Sequence, residues 1–182
     1  MTSPAPSIST GKTVELRRLA ASDSITELTD LLHRAYARLA AMGLRYMATH
    51  QSETVTLERI DQGECYVAVA EGRLVGTIVF KEAARTAGSP WLDRPEIASL
   101  GQFAVDPGLQ AQGLGRRLLD FVEGRARQTG AREIALDTAE PATHLVQWYG
   151  RCGYRLIEHV RWSHTNYRSV IMSKPLGPAV TP

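Results

Sequence analysis

Apolar and polar residues alternate along this chain with two different periods, and each change of period marks an element. Thr13 to Arg18 alternates residue by residue, the pattern of a short half-buried strand. From Ile25 the spacing lengthens, so that Ile25, Leu28, Leu31, Leu32, Ala35 and Leu39 share one helical face, with Ser24-x-x-Glu27 ahead of them as a capping box. Thr49 or Ser52 opens a shorter helix through Leu57 and Ile60, ending near Gly63. Cys65 to Ala70 and Leu74 to Phe80 read as hairpin strands around Glu71-Gly72-Arg73, and Ala83 to Pro95 as a loop.

The second half repeats strand and helix twice. Ile97 to Val105 is an apolar strand stopped by Asp106-Pro107. Leu114, Leu118, Leu119, Val122 and Ala126 then form one helix face, ended by Gly130. A strand from Glu133 to Asp137 follows, then a helix opened by Pro141 that carries Leu145, Trp148, Tyr149 and Cys152 and stops at Gly153. Strand, helix, strand, helix is the order of a parallel sheet. Tyr154 to Trp162 and Tyr167 to Lys174 close the chain as a hairpin through Ser163-His164-Thr165-Asn166.

Between the strand ending at Val105 and its helix lies Asp106-Pro107-Gly108-Leu109-Gln110-Ala111-Gln112-Gly113-Leu114-Gly115-Arg116-Arg117. Glycines there remove the Cβ atoms that would keep backbone from closing on a ligand. The first helical N–H groups and the positive end of the helix dipole then face whatever anion sits there. The run lacks the Gly-Lys-Ser/Thr ending of a Walker loop and the spacing of Gly-x-Gly-x-x-Gly.

It resembles instead the Gln/Arg-x-x-Gly-x-Gly/Ala motif of the GNAT superfamily of acetyl-CoA-dependent N-acetyltransferases, with Gln110, Gly113 and Gly115 on the motif positions. Trp148-Tyr149-Gly150-Arg151-Cys152-Gly153-Tyr154 is similar to the Tyr-x-x-x-Gly-Phe/Tyr ending of the same superfamily's core. The resemblance runs from about Val14 to Leu176. It implies an α/β fold: a mixed seven-stranded sheet with about four helices, whose two central parallel strands, those of Phe103 and Leu136, splay apart to admit pantetheine. By the same resemblance, Phe103, Ala104 and Val105 offer backbone groups to pantetheine and the thioester. Gln110, Ala111, Gln112, Gly113, Leu114, Gly115 and Arg116 hold the pyrophosphate, and no metal is needed. Arg117 is a second candidate for a phosphate contact.

Tyr149 occupies the position from which many relatives protonate the departing thiolate, and a phenol of pKa about 10 is protonated at neutral pH. The amine is the harder half. A lysine-like amine costs about 4.6 kcal/mol to hold neutral at pH 7, an α-amine near 7.8 about 1 kcal/mol. Where some relatives carry a glutamate on the strand, the register places Ser99. Glu96 is the nearest carboxylate and the candidate base, although an odd offset of three residues turns it to the opposite face unless a bulge intervenes. Water, His50, His144 and Asp137 are the alternatives. A second departure is Ala142, where many relatives have an asparagine on the cofactor chain; Glu140, Thr143 and His144 are its possible substitutes. Acceptor specificity in the superfamily comes from the first two helices, so Tyr46, Met47 and His50 are candidate pocket residues, with Trp162, His164, Asn166 and Tyr167 as the other wall.

Composition narrows the partners. A chain of 182 residues, 43% hydrophobic, supports one core, here a single domain over 13–177 with flexible tails at 1–12 and 178–182. A net charge of +2 from 21 basic and 19 acidic residues gives no electrostatic case for nucleic acid or an anionic membrane. No segment approaches the ~20 apolar residues of a membrane span. Cys65 and Cys152 sit in apolar segments without metal-ligand spacing, which predicts buried free thiols and fits a cytoplasmic location. The expected activity is transfer of acetyl from acetyl-CoA to the primary amine of a small molecule, an amino-acid derivative or a peptide N-terminus, by direct attack in a ternary complex. The alternatives are acylation of a protein lysine or a tRNA-linked amine, or a CoA-binding sensor without turnover. Relatives are often homodimers, which the resemblance makes possible here.

Overall fold

The computed structural model describes residues 13–177, so the expected tails lie outside the described residues. The strands are β1 (Val14–Arg18), β2 (Glu64–Ala70), β3 (Arg73–Lys81), β4 (Ile97–Val105), β5 (Glu133–Ala139), β6 (Arg155–Val160) and β7 (Ser169–Pro175); the helices are α1 (Ile25–Ala41), α2 (Glu53–Ile60), α3 (Leu114–Gln128) and α4 (Thr143–Arg151). All seven strands join one sheet in the order β1-β2-β3-β4-β5-β7-β6. Every pair is antiparallel except β4 with β5.

That parallel pair is short, joining only Ile97 to Glu133, Ala98 to Ile134 and Ser99 to Ala135. Both strands continue past it, β4 to Val105 and β5 to Ala139, bonded to their outer neighbours and not to each other. The expected splay is therefore present. A bulge in β4 accompanies it. Opposite β3 the pairing steps from Val79–Gly101 to Thr77–Ala104, one extra residue on β4, and Gln102 within that step takes a left-handed φ of 45°.

The sheet is covered on both faces, which is why its central strands read as nearly unbroken apolar runs. Tyr66, Ala68 and Ala70 of β2 pack with Leu118, Leu119, Val122 and Ala126 of α3, while Cys65 and Val67 face Leu28 and Leu31 of α1 and Ile60 of α2. Both cysteines are buried and unpaired. No helix among the described residues is long and apolar enough to cross a membrane.

The local departures from expectation have specific causes. Ser24 Oγ accepts from the Glu27 N–H at 3.1 Å, but Glu27 turns outward to accept from the Leu74 N–H at 2.9 Å, so only half of the capping box forms. Ser52, and not Thr49, caps α2, accepting from the Val55 N–H, because Met47–Thr49 closes a separate 3₁₀ turn. The β2–β3 turn uses two residues, Glu71 and Gly72, both at positive φ. A further 3₁₀ turn, Ala83–Arg85, lies within the expected loop. Pro141 stands two residues ahead of α4, whose N-cap Ala142 has a non-helical ψ of 59°. The last two strands are shorter than their apolar pattern because Trp162 and Tyr167 point into the cleft described next.

Candidate active site

Two cavities meet in the gap between β4 and β5. The larger, about 430 Å³, runs over the N-terminus of α3 and is lined by Phe103, Ala104, Val105, Gln110, Ala111, Gly113, Gly115 and Arg116 among others. Its floor offers open backbone donors. Gly113, at φ 84°, caps α3 without a side chain, and the first helical bond is from the Arg117 N–H to the Gly113 carbonyl at 3.1 Å. The N–H groups of Leu114, Gly115 and Arg116 thus have no intrahelical acceptor. Gln110 holds the loop against the strand, its Nε2 donating to the Val105 carbonyl at 3.1 Å. Asp106 closes the turn by accepting from the Gly108 N–H at 3.0 Å. Arg38, Arg116 and Arg151 also line this cavity, the Arg116 guanidinium being bonded to Asp120 at 2.8 Å.

The smaller cavity, about 250 Å³, lies on the other side of the gap between Met47 and Ala48 below and Trp162, His164 and Thr165 above. It also takes in Gln102 at the bulge and Arg59 of α2. Tyr36, Tyr46, Phe103, Asp137 and Tyr149 line both cavities and so form their junction.

The three phenols of the junction are not equivalent. Tyr36 donates to the Phe103 carbonyl at 3.1 Å. Tyr46 contacts Thr138 Oγ1 at 2.9 Å and accepts from the Ala139 N–H at 2.8 Å. Tyr149, held edge-on between Trp148 and Tyr154, has no hydrogen-bond partner for its hydroxyl among the described residues. Burial pushes all three phenols above their ordinary value, Tyr149 well above it. Burial favours the neutral form, so Tyr149 keeps its proton throughout the neutral range and presents it to the junction. Asp137 supplies the junction's carboxylate, with Oδ2 accepting from Trp162 Nε1 at 3.0 Å.

Most of the sequence-predicted residues meet here. Gln112 and Leu114 line neither cavity: the Gln112 side chain braces the Gly108 carbonyl at 3.0 Å and Leu114 enters the core, so each can contribute only its N–H. Arg117 is drawn off to the Val14 carbonyl at 3.1 Å. Glu96 requires correction, because it lies just before the first residue of β4, about 30 Å of extended strand from the cradle. There its backbone carbonyl accepts from the Arg132 N–H, and its carboxylate is held below the ordinary value first by its own backbone N–H and then by the pair with Arg94. No bulge lies between Glu96 and Ser99, and Ser99 itself turns to Thr86 Oγ1 at 2.9 Å. Of the other proposed bases, Asp137 reaches the junction and His144 the larger cavity, whereas His50 lines neither. Glu140 is bound to Arg168, leaving His144 as the neighbour of Ala142 that faces the cavity. Tyr46, Met47, Trp162, His164 and Tyr167 line the smaller cavity as expected, while Asn166 bonds to the Gly43 carbonyl instead. Arg59 and Gln102 gave no signal in the sequence, each being an ordinary polar position until the sheet and helices bring it to the gap, whereas Tyr36 and Arg38 lie on the first helix, from which the resemblance reads acceptor specificity.

Comparison with known proteins agrees with this geometry. Residues 25–154 match the acetyltransferase (GNAT) family. The chain is 30% identical over 142 residues to the S-(2-succino)cysteine N-acetyltransferase of Bacillus subtilis (strain 168), an alignment spanning 75% of this chain and 82% of that one. Among solved structures it resembles a protein of Pyrococcus horikoshii OT3 at a TM-score of 0.71 and 20% identity, covering 91% of this chain and 99% of that one. It also resembles a GNAT family acetyltransferase of Elizabethkingia anophelis with acetyl-CoA bound, at a TM-score of 0.63 and 19% identity, covering 90% and 98%. The chain belongs to the acetyltransferase (GNAT) family and is an N-acetyltransferase.

Proposed function

We propose that this member of the acetyltransferase (GNAT) family moves the acetyl group of acetyl-CoA onto the primary amine of a small molecule, in particular an amino-acid derivative, by direct attack with both substrates bound. The observation that carries the reading is the junction itself: Tyr149, with the one uncommitted phenol there, stands where an anion-binding cavity opens into a second, smaller one. Acetyl-CoA supplies the acetyl group as an activated thioester. On the chain, the N–H groups from Gln112 to Arg116 would hold its pyrophosphate, with Arg116 at the rim and Phe103 to Val105 along the pantetheine. A Cβ built at Gly115 would touch nothing of the protein nearer than 3.7 Å, so the glycine leaves room that the fold itself does not use.

The neutral amine forms the new C–N bond as the C–S bond breaks. Tyr149 gives its proton to the leaving sulfur, and the one proton released by nitrogen passes through solvent to restore the phenol. Asp137, in place of Glu96, faces the incoming amine. A small acceptor suits a cavity of about 250 Å³ lined on one side by Trp162, His164 and Thr165, and the relative from Bacillus subtilis is named for a substituted cysteine. Calorimetric titration with acetyl-CoA, followed by free-thiol release with a panel of amines, tests the reading. One molecule bound per chain at micromolar affinity, with thiol release on adding a small amine, is the expected result; absence of binding overturns it.

A further inference from the structure

The smaller cavity carries more donor capacity than the protein uses. Arg59 is half-buried on α2, has no carboxylate partner among the described residues, and keeps its Nε buried with no hydrogen bond. Gln102, only 5% exposed, likewise leaves Nε2 without a partner. The direction of its amide is set by a chain of bonds behind it. Thr56 Oγ1 donates to the Ser52 carbonyl at 3.1 Å and accepts from Gln51 Nε2 at 2.7 Å. The same Nε2 donates to Gln102 Oε1 at 2.8 Å. The unpaired amide group of Gln102 is therefore a donor, and it lines the cavity that Arg59 lines.

A cation and a buried donor left unsatisfied cost free energy unless an anion meets them. Asp137 does not meet them: its Oδ2 is engaged by Trp162, and it stands at the junction, whereas Arg59 lines the smaller cavity alone. The cavity thus carries both signs of charge, a carboxylate shared with the larger cavity and a guanidinium that the larger cavity does not share.

We infer that the acceptor is an α-amino acid or a side-chain derivative of one, its carboxylate taken by Arg59 and Gln102 and its amino group directed by Asp137 toward Tyr149. This rests on the acetyltransferase reading above and gives it a substrate class and an orientation.

The test uses the full chain. A panel of α-amino acids and S-alkylcysteines is assayed with acetyl-CoA, each beside the amine that lacks only its α-carboxyl group. Binding of the corresponding N-acetyl-amino acids to the protein with CoA is measured by calorimetry. Wild type should prefer carboxylate-bearing amines. Arg59→Gln should raise their KM about 10- to 100-fold and weaken N-acetyl-amino-acid binding at least tenfold, with kcat, the matched amines and acetyl-CoA affinity little changed. Arg59→Lys should recover part of the loss. Equal use of both members of each pair, or equal damage to both by Arg59→Gln, overturns the inference and leaves the acetyltransferase reading standing. Should no amine of the panel be acetylated although acetyl-CoA binds, the binding data decide the carboxylate site: Arg59-dependent binding of N-acetyl-amino acids upholds it, and its absence overturns it.

Discussion

The two sides of the gap between β4 and β5 are built from different material. On the α3 side the cavity floor is backbone: a glycine at positive φ, three helical N–H groups and a loop pinned by Gln110, all within one continuous run of chain. On the α2 side the wall is side chains, Tyr46, Arg59, Gln102, Asp137 and Trp162, brought from separate elements. A backbone site can bind the same phosphate whatever the neighbouring side chains become. A side-chain site changes its ligand with each substitution, so one fold can keep a cofactor and exchange acceptors.

Tyr149 belongs to both sides, and removing its hydroxyl should have the largest effect. Tyr149→Phe keeps the edge-on ring packing against Trp148 and Tyr154. Loss of a general acid is worth about 10² to 10⁴ in rate, so kcat should fall by about that factor while acetyl-CoA affinity stays within about threefold. The pH profile sharpens the assignment. Because burial raises the phenol, wild-type activity should climb as the acceptor amine loses its proton, with no fall as pH reaches 10. The rising limb should move when the acceptor's own pKa changes, not when Tyr149 does. A variant with wild-type kcat removes Tyr149 from the chemistry.

The same contrast governs how much of the molecule was legible from sequence. The cradle was readable because its requirements are local: Gly113 and Gly115 stand at fixed spacing between an apolar strand and an amphipathic helix. Strand order and the splay came only through resemblance, since nothing in the periodicity of β4 says that its pairing with β5 ends at Ser99. The choice of Glu96 failed on geometry, because counting along a strand finds the nearest carboxylate while the reacting groups gather at the far end of β4. Asp137 was only one of several alternatives in sequence; it gained its place because β5 diverges from β4 beside it. Arg59 was invisible for a further reason. A surface helix normally carries unpaired arginines, and only the buried Nε that this one brings to the cavity of Gln102 distinguishes it.

Breaking the backbone side alone should give the next largest effect. At Gly115 the nearest neighbours of an added Cβ are side chains of Phe103, Trp148 and Val105 at 3.7 Å, an ordinary contact, and valine is no worse than glycine in a helix interior. Gly115→Val should therefore fold with unchanged thermal stability and bind acetyl-CoA about 100-fold more weakly, the loss of one or two charge-assisted hydrogen bonds. Unchanged affinity in the folded variant would mean that the cradle is a turn and nothing more.

Breaking the side-chain side should be milder and should spare the cofactor. In Asp137→Asn the amide oxygen can still accept from Trp162 Nε1, so the wall keeps its shape while the junction loses its negative charge. A partly solvated ammonium–carboxylate contact is worth about 1 kcal/mol, so KM for the acceptor should rise about fivefold to tenfold with acetyl-CoA affinity unaltered. The sign of any kcat change separates two roles. If Asp137 only orients the amine, kcat measured at high pH, where the amine is already neutral, should match wild type. If it also accepts the amine's proton, kcat should fall at neutral pH and recover as pH rises. A fall that persists at high pH would instead mean that Asp137 acts on the departing side of the reaction, beside Tyr149, and that the junction cannot be divided between an acceptor half and a cofactor half.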